Sequence, residues 1–169
     1  CLDTPDDIIF DWLQETAYPD QPMGRPILGP AERVRNFARE DFARFVARNY
    51  TAPTMILSAA GAVDHDRIVD LAGPVLERLP AGQPPVAVPA RFGEGELRRD
   101  KPLEQAHFAL SLPAPGYGDD DLYTAQIHAG ALGGGMSSRL FQELRETRGL
   151  CYTVFAQASA YSDTGTMMV

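Results

Sequence analysis

The chain has 169 residues, including 15 Gly and 14 Pro, and its 23 Asp+Glu against 15 Lys+Arg leave a formal net charge of -8. At 44% hydrophobic and 22% charged residues it has the composition of a globular protein with a core, which excludes a collagen-like or bulk-disordered chain. The acidic balance argues against a nucleic-acid partner, which needs an excess of clustered Lys and Arg, and no apolar run reaches membrane-spanning length.

Asp3-Thr4-Pro5 followed by Asp6 and Asp7 predicts a helix start, with a polar cap, an early Pro and carboxylates in the positive first turn. Ile8, Ile9, Trp12 and Leu13 recur at helical spacing to about Tyr18, and Pro19 to Pro30 is a Pro/Gly loop. A short helix is expected over Ala31 to Asn36. A longer one over Asp41 to Tyr50 carries Phe42, Phe45 and Val46 on one face. Met55 to Val63 has the length and apolarity of a strand. Asp64 then caps a helix whose expected buried stripe is Ile68, Val69, Ala72, Val75, Leu76 and Leu79, kinked at Pro74.

From Pro80 to Glu96 the sequence turns to Pro, Gly and Ala without hydrophobic period, the pattern of a semi-rigid connector, and a domain boundary is placed there. Beyond it, Gly95 to Arg99 and Ala106 to Leu112 are expected strands and Pro113 to Gly118 a turn. Asp119 to Asp121 caps a helix to Leu132, which Gly133-Gly134-Gly135 ends. Ser137 or Ser138 caps a further helix carrying Leu140, Phe141 and Leu144 that stops at Gly149. A hairpin of Cys151 to Ala160 with Thr164 to Val169 follows. Helices alternate with strands in both halves, so the class is α+β or α/β.

Local chemistry is sparse. Cys1 and Cys151 lack any metal-ligand spacing and read as free thiols, and His65, His107 and His128 stand singly, without the partners that tune a base or a ligand. Asp119 to Asp121 reads as a solvated helix start, since three adjacent carboxylates do not converge on a cation as an alternating calcium loop does. The run from Gly130 to Gly135 follows a helix instead of a strand and has no Gly-Lys-Ser/Thr after it, so it is not a phosphate loop. Two readings stay open for Gly133 to Gly135: a tight connection requiring positive φ, or a backbone segment that contacts an extended peptide.

Gly133 to Phe155 (GGGMSSRLFQELRETRGLCYTVF) closely resembles the second-domain motif of the pitrilysin or mitochondrial-processing-peptidase zinc metallopeptidases, peptidase family M16. Asp3 to Pro30 is similar to the segment that follows that family's last zinc ligand, and SAAGAVDHDRIVDLA to the strand and helix closing its first domain. The resemblance implies an α+β protein of two homologous α/β domains with sheets flanked by helices, both incomplete here. Residues 1–80 would end the zinc-bearing domain, 81–96 form the linker and 97–169 begin the second domain. It implies zinc held by an inverted H-x-x-E-H motif and a Glu, all upstream of Cys1, so that this chain is an internal piece that is inactive alone. Arg145 and Tyr152 match the family's Arg and Tyr that reach the substrate from domain two, with Arg139 and Arg148 as rival cations in the same helix. Arg145 would hold substrate carbonyls, Tyr152 would donate to the oxyanion formed when zinc-bound water attacks, and Gly133, Gly134 and Gly135 would contact the peptide. The implied partner is a polypeptide substrate, and a homo- or heterodimer is compatible with the family. The alternative is a non-catalytic homologue acting as a substrate-binding or assembly subunit. The compartment stays open between the cytoplasm and periplasm of a bacterium.

Overall fold

A computed structural model describes residues 5–83 and 86–169. Cys1 and the expected capping residues Asp3 and Thr4 lie outside the described residues, as do Pro84 and Pro85 of the connector. The chain forms two compact units, one combining the residues up to Leu28 with Val88–Val169, the other Gly29–Ala87.

In the first unit, α1 (Pro5–Ala17) starts as expected, with Asp6 and Asp7 in its first turn, and buries Ile8 and Ala17. It is seated along its length. Asp6 Oδ1 lies 3.0 Å from His107 Nδ1, the rings of Phe10 and Phe155 are 6.0 Å apart, and the Arg99 guanidinium stands 6.0 Å from the Trp12 ring. At the helix end Tyr18 is 0% exposed. Its ring meets Phe92 edge-on at 5.7 Å, and its hydroxyl lies 2.9 Å from Thr164 Oγ1. Burial pushes the Tyr18 phenol above its ordinary pKa.

Part of the connector is docked onto this helix end. Gln21 pairs both backbone groups of Arg91 with its side-chain amide, at 2.7 and 2.8 Å, as a neighbouring strand would. The Gly93 N–H donates to Ala17 O at 2.7 Å and the Ala90 N–H to Asp163 Oδ2 at 2.7 Å.

The sheet of this unit is antiparallel, in the order β1-β3-β2, with β1 Ser111–Ala114, β2 Gln157–Ala160 and β3 Gly165–Met168. Ser111 faces Met168 and Ala114 faces Gly165, while across the hairpin Gln157 faces Met168 and Ala160 faces Gly165. Leu110 and Val169 exchange two further backbone bonds at 2.9 Å. Pro113, expected in a turn, sits within β1, where an edge strand tolerates its missing N–H.

The expected strands are shorter than their apolar runs or absent. Gly95 to Arg99 forms no ladder among the described residues, Ala106 to Leu112 joins the sheet only at its end, and Cys151 to Ala160 pairs only from Gln157. In the last case the Ala156 N–H is already bonded to Gly133 O at 3.1 Å, which takes the residue out of the ladder. Helix α5 (Leu122–Gly133) begins after the acidic triplet, but Asp119 Oδ2 accepts from Gly116 N at 2.7 Å and so closes the preceding turn instead of capping the helix.

The second unit holds α2 (Ala31–Arg35), α3 (Arg39–Asn49) and α4 (His65–Leu76). Asp41 reaches back to the Ala38 N–H at 2.9 Å, and that bond, with the Arg44 guanidinium beside it, holds its carboxyl below the ordinary range. Asp64 caps α4 as expected by accepting from Arg67 N at 2.9 Å. The expected buried stripe of α4 is not buried: Val69 and Val75 are exposed, and Ile68, Ala72, Leu76 and Leu79 are half-buried. Its facing segment, residues 55–63, is not a strand. No neighbouring strand is present among the described residues to pair with it, so helix and segment meet only along an open groove of 410 Å³.

Gly24 ends the 3-10 turn Pro22–Gly24 against Tyr18, where an added Cβ would fall 2.0 Å from the Tyr18 carbonyl oxygen. In the full-length protein Gly24→Ala should lower stability by about 1–3 kcal/mol, read as a drop in melting temperature, because two backbones must separate to admit the methyl.

Candidate functional site

The site region runs from the end of α5 through residue 156. Gly133 is the last residue of α5 and is buried against the chain at residues 155–156. A Cβ there would lie 2.3 Å from Ala156 N and 2.7 Å from the Phe155 carbonyl carbon, so only glycine admits this approach. The three glycines do not supply the positive φ that one of the two sequence readings requires. Among the described glycines that conformation occurs at Gly29, Gly61 and Gly149. Gly134 continues the helical backbone at φ -80, and a methyl group added at Gly135 would meet nothing within 4 Å.

The Ser-Ser-Arg-Leu-Phe stretch then winds into a short helix. Ser138 N donates to Gly135 O at 3.0 Å and Gln142 N to Ser138 O at 3.0 Å, while the Gln142 side-chain amide donates to Met136 O at 2.7 Å. The Ser138 hydroxyl is buried and has no hydrogen-bond partner among the described residues. From Phe141 to Thr147 the helix is π-wound, and Arg148 N reaches Glu143 O at 3.2 Å, five residues back. Gly149, with φ +62, ends it in a left-handed cap that lets its N–H donate to Arg145 O at 3.1 Å.

This winding distributes three cations differently. Arg148 is held by Glu143 through Nη2 at 2.6 Å and Nε at 2.7 Å. Arg145 lies 4.6 Å from the Phe141 ring centroid and only 3.4 Å from Glu146 Oε1. Arg139 is exposed and forms no salt bridge among the described residues. Tyr152 follows the Gly149 cap in an irregular segment, five residues before β2, and is 82% exposed. No hydrogen bond or ring contact joins it to Arg145. The fold thus brings Gly133 onto the strand of chain that carries Tyr152, and leaves the Arg145 and Tyr152 side chains presented separately.

No group of three or more His, Cys, Asp and Glu side chains among the described residues could hold a metal ion. His107 is paired with Asp6, His65 lines the groove beside α4, and His128 is exposed on α5. The described residues therefore do not fit a zinc site. Among the contacts not anticipated by the sequence are Phe141 under Arg145, although its i,i+4 spacing is a usable signal, and those of buried Tyr18, for which no local pattern exists.

The family model described as "Peptidase M16 inactive domain" matches residues 36–169. The chain belongs to the peptidase M16 family. It is 40% identical over 168 residues to an uncharacterized zinc protease of Rickettsia felis, covering 99% of this chain and 41% of that protein. It is 38% identical over 175 residues to one of Mycobacterium tuberculosis, covering 99% of this chain and 40% of that protein. The chain thus spans about two fifths of the length of these relatives. Its fold is similar to a chain of complex III2 from Candida albicans, with TM-score 0.83 and 23% identity over 98% of this chain and 42% of that one. It is also similar to the peptidase M16 inactive domain of Pseudomonas fluorescens, with TM-score 0.71 and 21% identity over 98% of this chain and 41% of that one. No helix among the described residues is long and apolar enough to cross a membrane.

In the full-length protein Gly133→Ala should cost about 1–3 kcal/mol of stability, whereas Gly135→Ala should be within about 0.5 kcal/mol of wild type by chemical denaturation. Equal effects at the two positions would show that the approach to residues 155–156 is not what requires glycine.

Proposed function

We propose that this chain is the central part of a zinc-dependent endopeptidase and supplies the substrate-orienting half of its site. The observation that carries the reading is the match of residues 36–169 to the M16 inactive domain, together with relatives named zinc proteases that are more than twice as long. Since the described residues offer no cluster for zinc, the metal belongs in this reading to protein outside this chain, upstream of it. Residues 1–80 then close the metal-bearing domain, 81–96 link, and 97–169 open the second domain.

Within that frame the exposure of Tyr152 suits a group that meets a substrate. As a peptide carbonyl is attacked, negative charge develops on its oxygen, and a phenol O–H aimed at that oxygen stabilises the transition state more than the ground state. Arg145, whose pairing with Glu146 is long and uses Nη1 alone, has its other guanidinium donors for substrate carbonyls. Gly133, Gly134 and Gly135 leave the backbone of the turn without side chains beside an extended peptide. The partner is therefore a polypeptide segment.

The alternative is that the whole protein is a non-catalytic subunit that binds substrate or assembles with others. One experiment separates the two: zinc content of the intact protein and cleavage of a quenched peptide with and without chelator. The peptidase reading expects stoichiometric zinc and chelator-sensitive cleavage. In the same protein Tyr152→Phe should lower kcat by about a hundredfold with zinc content and melting temperature near wild type. Unchanged turnover would remove Tyr152 from the mechanism.

A further inference from the structure

Helix α1 touches the site region at two places. Phe10 meets the ring of Phe155, next to the backbone that Gly133 grips. Eight residues on, about 12 Å further along the axis, the Tyr18 hydroxyl reaches Thr164, with Gly165 O 3.5 Å away. Thr164 lies at the turn of the hairpin that joins β2 to β3, where Tyr161 N donates to Thr164 O at 2.8 Å. Tyr117 N in turn donates to Tyr161 O at 2.8 Å. The far end of β2 leads directly back to residues 151–156. The end of this helix and its Phe10 therefore hold the chain at Phe155, three residues after Tyr152, and again at the hairpin turn.

The two parts of the Tyr18 side chain do different work. Its ring is packed against Phe92 and holds the helix end, whereas its hydroxyl reaches the hairpin. Tyr18 is without solvent exposure and Thr164 is half-buried, so losing the bond leaves a phenol oxygen in a largely dry setting. We infer that the Tyr18 hydroxyl is a positioning group that, through Thr164, sets where the hairpin and the Tyr152 segment stand relative to α1. Its catalytic consequence rests on the role proposed above for Tyr152, but the positional one does not.

The test uses the full-length protein with its metal. Tyr18→Phe keeps the ring and removes the tether, Thr164→Val removes the other partner, and Thr164→Ser restores a hydroxyl. Amide hydrogen exchange over residues 151–160, including the Ala156 N–H bonded to Gly133 O, should quicken about five- to tenfold in Tyr18→Phe and in Thr164→Val. It should quicken no further in the double variant, and Thr164→Ser should exchange as wild type. On a peptide substrate the first two variants should lose about five- to tenfold in kcat, with KM within about twofold. Unchanged exchange over residues 151–160 in Tyr18→Phe, even with a lower melting temperature, overturns the inference and leaves Tyr18 a packing residue. Quickened exchange with an unchanged kcat overturns its catalytic consequence alone. If the wild type binds no zinc and cleaves nothing, the proposed function falls, and the exchange result still decides the role of Tyr18.

Discussion

The site region depends on one close approach, the end of α5 lying against the backbone of residues 155–156. Because a methyl group at Gly133 would overlap Ala156 N, the identity of a single residue decides whether helix and strand can touch. From that contact the rest follows in both directions. Ala156 gives its N–H to Gly133, and β2 starts at the next residue, Gln157.

The helices are legible from the sequence because their signals are local. Asp64 sits at its cap, Pro5 and the two aspartates open α1, and Gly149 takes the positive φ of a helix end. The strands are less legible for a physical reason: a strand exists only when a partner pairs with it. Met55 to Val63 has the right length and apolarity, yet no strand among the described residues pairs with it. The same absence leaves Val69 and Val75 of α4 exposed. The apolar period identifies which face should be covered, and says nothing about whether the cover lies in the same stretch of chain.

The candidate site divides in the same way. The glycine triplet is recognisable as a special place, but the geometry puts the constraint on Gly133 and Gly134, not Gly135, and replaces a dihedral requirement by a steric one. Arg145 and Tyr152 come from resemblance to a family motif, and the exposed phenol and weakly paired guanidinium are compatible with that motif without depending on it. Tyr18 has no signature at all, because the partner of its hydroxyl stands more than a hundred residues away along the chain.

The π-wound segment has a consequence for the charge pattern of its surface. In an α-helix residues five apart point roughly 140° away from each other, too far around the cylinder for a short ion pair. Widening the turn brings Arg148 over Glu143, so the winding itself selects which arginine is neutralised. Re-tightening the same sequence to α geometry would set Glu143 beside Glu146 and Thr147 instead, freeing Arg148. The helix pitch thus acts as a sorter of cations, and the charge shown to anything that approaches this face is written in the hydrogen-bond spacing as much as in the residues.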